Sequence, residues 1–412
     1  MQTIQPTKNT EREIFLDALR GFAILGIFIA NLGGFSQFNG DAKITSPWIL
    51  EGWDDVMEFL HSMLIEGKFY SIFSLLFGWG IALQLKRVAA TGVSSLSTIR
   101  IRLLFMLLLG AFHLLIWIGD IVFFYALVGF LLLAFRNFSN KTLLITATVL
   151  ILSPIVLYWL KMTYPVLNSP AEFLFQTGNQ LEGKLLGINS ETSYQNYIQN
   201  ANWFDVAKLN VCGFFYRYGH LIFVSRIPKV LGMFLIGYLI GRSDFYKNFK
   251  QNKKTIYWII GLGFLIGLPA NFILAQYMSS PNTGYFRLKI NGWYQTIAYA
   301  FGVVPLALAY VGLLMLSFQT TIGHKIMGVI SPVGKMAFSN YIAHSLIGNF
   351  VFLSMGLNYG GKVGPVYYTL FAIAVWIAQI IISTIWLKYF NFGPVEWVWR
   401  SLTYGKRQPM LK

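Results

Sequence analysis

Long apolar runs, separated by short polar segments, recur along the whole chain. Each run is about as long as the roughly 20 residues that an α-helix needs to cross the hydrocarbon core of a bilayer. Hydrophobic residues make up 56% of the chain and charged residues 12%, about half the charged share of a typical soluble domain. Because charge is scarce along the whole length, one buried core does not explain the pattern. The sequence therefore predicts an all-α polytopic membrane protein.

The apolar runs predict about ten transmembrane helices. We expect them at 16–38, 59–85, 101–118, 120–135, 143–160, 221–241, 255–277, 293–318, 326–353 and 365–390. The third and fourth are short and meet at Gly119-Asp120, which predicts a hairpin. Residues 161–220 contain no span-length apolar run, so we expect an extracytoplasmic loop region with short helices on the outer face. The chain thus divides into an N-terminal five-helix half, the loop segment and a C-terminal five-helix half, at 1–160, 161–220 and 221–412.

The distribution of charge predicts the orientation of these helices. With the N-terminus inside, about 21 of the 32 Lys and Arg residues fall on the cytoplasmic side, as the positive-inside rule requires. Acidic residues crowd the first outer loop instead, and ten spans return the C-terminus to the cytoplasm. The net charge of +16 is explained by these basic loops, and no basic segment interleaved with aromatic residues indicates nucleic acid. We therefore expect both termini to be cytoplasmic, with membrane lipids and no nucleic acid as partners.

The sequence offers little to bind a metal ion or a resident cofactor. Cys212 is the one cysteine, which excludes an intrachain disulfide and a cysteine metal cluster. No nucleotide-binding fingerprint is present, since glycines such as Gly78 and Gly80 lie inside an apolar run and favour close helix packing. We expect no metal site and no bound cofactor.

The second predicted span contains two opposite charges on either side of a glycine, Glu66 and Lys68 around Gly67. An ionisable side chain inside a span costs roughly 2.5–3.5 kcal/mol, so it usually has a partner in the bundle. Residues two apart on a helix do not face each other. Either each pairs with another helix, or Gly67 breaks the helix. The two side chains could bind a substrate, or they could extend their charged groups to the water at the outer membrane interface.

The third span ends in a polar cluster that contains His113, Trp117, Asp120 and, beyond the predicted bend, Tyr125. Four and seven residues separate His113 from Trp117 and Asp120, which places all three on one helical face. A carboxylate beside an imidazole fixes its tautomer and prepares it as a general base. The structural alternative is a buried histidine with one hydrogen bond and an aspartate that caps the fourth span.

Two further polar groups lie in the second half of the chain. Asn340 and His344 share one face of the ninth span, as do Tyr341 and Ser345, although small polar residues often only hold membrane helices together. Before the sixth span, four basic side chains suit either a phosphate or anionic lipid, or an interfacial belt: Arg217, His220, Arg226 and Lys229. Four of the five histidines fall on the predicted outer half, which indicates a polar chamber open outward.

The first span resembles the entry motif of transmembrane acyltransferases. The motif occupies residues 16–23, LDALRGFA, and includes Asp17 and Arg20. In the broader acyltransferase group a histidine follows near the end of this span, whereas this chain has Asn31 there. The resemblance implies a donor-side motif without the usual first-span base.

The remaining motifs resemble the YeiB-like family, whose C-terminal half is a domain of unknown function. They are EGKFY at 66–70, LLFGWG at 75–80, GAFH at 110–113, IWIGDI at 116–121, GKMA at 334–337 and GPVEWVWR at 393–400. The resemblance covers nearly the whole chain, and His344 stands where a glutamine is expected. It implies a multi-pass protein of a bacterial inner membrane and, through distant similarity to membrane acyltransferases, an acyl-transfer function by analogy.

Two functional hypotheses of different class follow. In the first, the protein is an acyltransferase. It accepts an acyl group from a donor such as acyl-CoA on the cytoplasmic side and transfers it to a cell-envelope glycan or lipid. His113 would be its base and Asp120 would orient it, Lys68 or Arg226 would offset charge, and Asn340 and Tyr341 would donate hydrogen bonds. In the second, a transporter or lipid-handling protein uses the same polar groups without covalent chemistry.

Overall fold

The computed structural model describes residues 14–38, 45–91, 96–187, 197–198, 200–243, 245, 249–280 and 284–412. This part of the chain is helical and contains one isolated β-bridge, between Phe390 and Leu411. Its α-helices are α1 (Ile14–Ser36), α2 (Trp53–Leu64), α3 (Lys68–Thr91), α4 (Leu96–Leu114), α5 (Val122–Ala134), α6 (Asn140–Thr163), α7 (Ser169–Leu186), α8 (Trp203–Phe223), α9 (Arg226–Ser243), α10 (Phe249–Ser279), α11 (Ile290–Phe318), α12 (Thr321–Lys335), α13 (Ala337–Phe352), α14 (Pro365–Tyr389) and α15 (Pro394–Tyr404).

Seven stretches of helix in the described residues are long and apolar enough to cross a membrane. They are Ile14–Ser36, Trp53–Lys86, Leu96–Leu114, Asn140–Thr163, Gln251–Ser279, Ile290–Phe318 and Pro365–Tyr389. An eighth is added if α8 and α9, which are bent by 72° against each other, count as one span. The chain is therefore a multi-pass membrane protein, while the predicted number of about ten spans and their orientation remain predictions.

The predicted single helix over 326–353 is wrong, because the chain forms α12 and α13 there with a break at Met336. Pro332 lies in the last turn of α12 and has no backbone N–H, which weakens the helix ahead of the break. Gly334 allows α12 to contact α1 so closely that any side chain at this position would collide with the Asp17 carbonyl. Helix α13 begins directly after this break, at Ala337.

The segment 161–220 also differs in part from the prediction. It contains α7, of 18 residues, and most of α8, of 21 residues, so its helices are not short. The two pack against each other where Gly219 meets the Phe175 ring, and Tyr216 donates a hydrogen bond of 2.8 Å to Glu182. Residues 188–196 and 199 of this segment lie outside the described part of the chain.

Two breaks position the polar groups, of which the one at Gly119-Asp120 was predicted and the one at Gly67 was one of two alternatives. Gly67 has a φ of +79°, which separates α2 from α3 and favours glycine. The predicted hairpin at Gly119-Asp120 is present, since α4 ends at Leu114 and α5 begins at Val122. Helices also pack closely where glycines lie at their crossings, for example where Gly237 of α9 contacts the Leu75 carbonyl of α3.

Candidate functional site

His113 and Asp120 form a hydrogen-bonded pair with a serine from a distant helix. The His113 Nδ1 atom lies 2.7 Å from Asp120 Oδ1, and its Nε2 atom lies 2.9 Å from the Ser345 hydroxyl. The three residues are at most 2% exposed. Because a carboxylate accepts hydrogen bonds, the contact with Asp120 favours the tautomer that carries its proton on Nδ1. Nε2 is then free to accept the proton of Ser345.

The hairpin between α4 and α5 holds this geometry. His113 lies at the end of α4, and the Asp120 Oδ2 atom accepts a hydrogen bond of 2.7 Å from the backbone N–H of Phe123, in the first turn of α5. One carboxylate oxygen therefore caps a helix while the other binds the histidine. Both sequence-based interpretations of Asp120, as helix cap and as partner of His113, describe real contacts.

Helix α13 supplies Ser345 and, four residues earlier on the same face, Tyr341. The Tyr341 ring lies 5.1 Å from the His113 ring, and its hydroxyl accepts a hydrogen bond of 3.2 Å from the backbone N–H of Ile121. Trp117 stacks on Phe35 at 3.7 Å, and its Nε1–H is buried without a hydrogen-bond acceptor among the described residues. A buried donor without an acceptor lowers the stability of the fold, and an oxygen atom of a bound ligand could accept its hydrogen bond.

A cavity of about 430 Å³ leads towards this group from the end of the bundle where α1 begins. We call it the terminal cavity. Its inner wall is apolar and ends at Ile121, Val122 and Tyr341, so Tyr341 separates it from His113. Its other lining residues include five basic side chains, Arg20, Lys86, Arg102, Lys335 and Arg400.

Both acidic residues that line the terminal cavity have partners within the protein. Asp17 forms an ion pair of 2.7 Å with Arg20. Glu396 accepts hydrogen bonds from the backbone N–H groups of Phe338, at 2.7 Å, and Ser339, at the start of α13. Glu396 thus holds the break before α13 and Asp17 pairs with Arg20 within α1, and five of the seven charged lining residues of the cavity are basic.

A second cavity, of about 550 Å³, has no lining residue in common with the terminal cavity. We call it the opposite cavity. Glu66, just before α3, lines the opposite cavity, whereas Lys86, near the other end of α3, lines the terminal cavity. At 1.5 Å per helical residue the two positions are about 30 Å apart, the thickness of a bilayer core. The cavities therefore lie at opposite ends of the bundle.

The structure separates several residues that the sequence analysis grouped. Lys68 is buried and donates to the Ser62 carbonyl at 2.7 Å, and Tyr125 contacts the Ser74 hydroxyl at 2.6 Å. Asn340 donates to the Val333 carbonyl and to Ser383, each at 3.1 Å. These contacts join helices to each other and do not include His113.

The other histidines do not converge on one chamber in the described structure. His344 stacks on Phe28 at 3.9 Å and its Nε2 atom lies 2.9 Å from Gln379 Oε1, while His61 lies 2.8 Å from the Thr369 hydroxyl. His344 follows Tyr341 by three residues yet faces α14, because each residue advances about 100° around a helix. Among the described residues, no three His, Cys, Asp or Glu side chains are grouped so as to hold a metal ion.

The basic cluster before the sixth predicted span is divided between two places. Arg226 lines the opposite cavity and donates to the Tyr299 hydroxyl, and Lys229 lines it as well. Arg217 does not line this cavity, and its buried Nε atom has no hydrogen-bond partner among the described residues. Asn31 is half-buried in α1, one turn before the Phe35 ring that stacks on Trp117.

Sequence analysis did not assign Ser345 a functional role, although it placed Ser345 on the same face as Tyr341. The contact with His113 spans 232 residues of sequence, so helix periodicity alone does not reveal it. Arg287, Lys289 and Tyr299, which line the opposite cavity, were also missed because they lie in and after a loop.

Comparisons with known proteins place the chain among relatives of unknown function. The C-terminal part, residues 240–406, matches a family model described as a protein of unknown function (DUF418). Over its whole length the chain is 30% identical to the uncharacterized protein YxaH of Bacillus subtilis, of which it covers 99%. It is also 30% identical to the uncharacterized protein YeiB of Escherichia coli, over 97% of this chain and 98% of YeiB. No solved structure matches the chain. This chain belongs to the YeiB-like family.

Proposed function

We propose that this protein is an acyltransferase of a bacterial cell membrane. It takes an acyl group from a coenzyme A thioester in the terminal cavity and passes it to a hydroxyl or amine of a cell-envelope glycan or lipid. The observation that carries the proposal is the buried chain of hydrogen bonds from Asp120 through His113 to Ser345, beside the inner end of a cavity lined by five basic side chains.

The terminal cavity has the chemistry that a coenzyme A thioester requires. Five basic side chains line it, and both of its acidic residues are engaged in contacts with the protein. Arg and Lys side chains are the usual partners of phosphate groups. The apolar inner wall, which includes Phe73 and Phe77, suits the uncharged arm of the donor. The donor would therefore enter with its thioester towards Tyr341.

The order Asp120, His113, Ser345 is that of a nucleophilic triad. In the first step the Ser345 Oγ atom attacks the thioester carbonyl carbon while its proton passes to His113 Nε2. The carbon–sulfur bond breaks, the coenzyme A sulfur leaves with its electron pair, and the proton on Nε2 passes to that sulfur. Asp120 stabilises the imidazolium that exists between these transfers.

The second step returns the serine to its starting state. The acceptor oxygen or nitrogen attacks the carbonyl carbon of acyl-Ser345, its proton passes to His113 Nε2, and the bond to Ser345 Oγ breaks. The serine then takes the proton from Nε2. In both steps negative charge develops on the carbonyl oxygen, and we propose as its donor the Trp117 Nε1–H, which is buried without an acceptor among the described residues.

The two cavities also support the transporter hypothesis. They lie at opposite ends of α3 and have no lining residue in common, as a protein with access from both sides of a membrane requires. Under this hypothesis the polar groups bind cargo and Ser345 is never modified. Uptake or exchange of a substrate by sealed vesicles, without any acyl transfer, would favour it over the enzyme.

The proposal is tested with purified protein in proteoliposomes. Radiolabelled acetyl-CoA is supplied on the side of the terminal cavity and a bacterial envelope extract on the other side. We expect label on an envelope component with the natural sequence and with His324→Ala, a change at an exposed histidine on α12. His113→Gln, which keeps hydrogen-bonding capacity, is expected to abolish transfer. Folded protein that transfers no label to any acceptor would overturn the proposal.

A further inference from the structure

The opposite cavity contains a buried lysine that makes no hydrogen bond to the described residues. Lys229 is 3% exposed, and its Nζ atom lies 3.7 Å above the centre of the Tyr299 ring. A cation over an aromatic face gains some stabilisation, yet the three N–H donors of the ammonium group remain without acceptors. A buried charge in this state is expensive unless a ligand completes its contacts.

The bend between α8 and α9 aims the start of α9 at this cavity. Arg226, the first residue of α9, lines the cavity one turn before Lys229. Two features hold the bend in place. Ser225 has a φ of +52°, and the Lys161 Nζ atom donates hydrogen bonds of 2.8 Å to the Ile222 and Phe223 carbonyls. The N-terminus of a helix carries partial positive charge, so α9 adds to the attraction for an anion.

The loop before α11 closes the other side of the cavity with further positive charge. Arg287 and Lys289 line it together with Arg226 and Lys229, against one carboxylate, that of Glu66. Apolar side chains share the lining, among them Ile151, Val224 and Phe286. Four basic side chains beside an apolar wall suit an anionic group attached to a larger, partly apolar molecule.

We propose that the opposite cavity is a binding site for a phosphate group, held by Lys229 and Arg226 from α9 and by Arg287 and Lys289 from the loop. Guanidinium and ammonium groups are the side chains that bind phosphate oxygens in proteins. The phosphate belongs either to the headgroup of a lipid or to a soluble phosphorylated molecule. This inference does not depend on acyl transfer, because it concerns binding alone.

The test is native mass spectrometry of the full chain, carried out without any acyl donor. The protein is reconstituted in phosphatidylcholine nanodiscs that contain either dioleoyl phosphatidic acid or, as the neutral counterpart, dioleoylglycerol. In a separate arm, inorganic phosphate or pyrophosphate is added to nanodiscs without the anionic lipid. We expect one phosphatidic acid per chain and no retained dioleoylglycerol, if the source is a lipid. Bound phosphate or pyrophosphate, which displaces phosphatidic acid, would instead identify a soluble source.

Two variants and a control locate the site. Lys229→Met is expected to lower the affinity at least about tenfold, and Arg287→Gln, on the exposed loop where folding is not at risk, several-fold. Lys208→Met removes the same charge from an exposed position on α8 and is expected to leave binding unchanged. Binding that is equal in all four proteins, or no phosphate-dependent binding to folded protein, would overturn the proposal.

Discussion

The two cavities differ in how their charges are used. In the terminal cavity the carboxylates of Asp17 and Glu396 are satisfied by Arg20 and by the start of α13. In the opposite cavity the Lys229 ammonium group is buried without a hydrogen-bond acceptor among the described residues. Satisfied charges hold the helices at fixed positions, whereas an unsatisfied one indicates a missing ligand. Substitutions at the two ends should therefore affect different properties.

The largest effect is expected for the buried triad. Ser345→Ala removes the hydroxyl that His113 deprotonates, and we expect acyl transfer to fall at least about 10³-fold. The measurement is the rate of label transfer in proteoliposomes, with Thr384→Ala as the matched loss of an exposed hydroxyl. A Ser345→Ala protein with a near-normal rate would show that the serine does not carry the acyl group.

A smaller loss of activity is expected for Asp120→Asn. The amide still caps α5 through its oxygen but no longer stabilises the imidazolium, so the rate should fall about 10²-fold. Thermal unfolding should change little, because the hydrogen bond to Phe123 is retained. A fall in rate that is accompanied by a marked fall in the unfolding temperature would indicate that Asp120 has only a structural role.

The third prediction concerns the stability of the bend between α8 and α9, beside the opposite cavity. Lys161→Met leaves the Ile222 and Phe223 carbonyls without their donor, which should lower the free energy of unfolding by about 3 kcal/mol. Phosphate binding should weaken as well, because α9 loses its fixed position. The control Lys208→Met, tested by the same thermal unfolding, should be indistinguishable from the natural sequence.

The smallest effect is expected for the stability of Lys229→Met. Removing a buried charge without a hydrogen-bond acceptor should leave the free energy of unfolding unchanged or raise it by about 1 kcal/mol in neutral lipid. Thermal unfolding in phosphatidylcholine nanodiscs measures this directly. A clear loss of stability would mean that Lys229 serves the packing of the bundle, which would weaken the contrast between the two cavities.

Local sequence signals predicted the break at Gly119-Asp120 and offered the break at Gly67 as one of two alternatives. Gly67 between two charges and Gly119-Asp120 between two short apolar runs both mark real interruptions, because glycine and helix-capping residues act over a few positions. The pairing of His113 with Asp120 followed from helical spacing, although α4 ends at Leu114 and the contact is made across a turn.

Contacts between distant helices were beyond such signals. Ser345 contacts His113 across 232 residues of sequence, and it lies on α13, which begins after a break where hydropathy predicted one continuous helix. The opposite cavity depends on the bend at Ser225 and on the loop before α11, and hydropathy carries no information about how these approach each other. Tertiary packing therefore decided which of the predicted polar residues meet.

The most direct test of the account is a search for acyl-Ser345. Purified protein is incubated with radiolabelled acetyl-CoA and no acceptor, quenched in acid, digested and analysed by mass spectrometry. The account predicts up to one acetyl group per chain, on the peptide that contains Ser345, and none in His113→Gln. Active protein that transfers acetyl groups to an acceptor while Ser345 stays unmodified would contradict it.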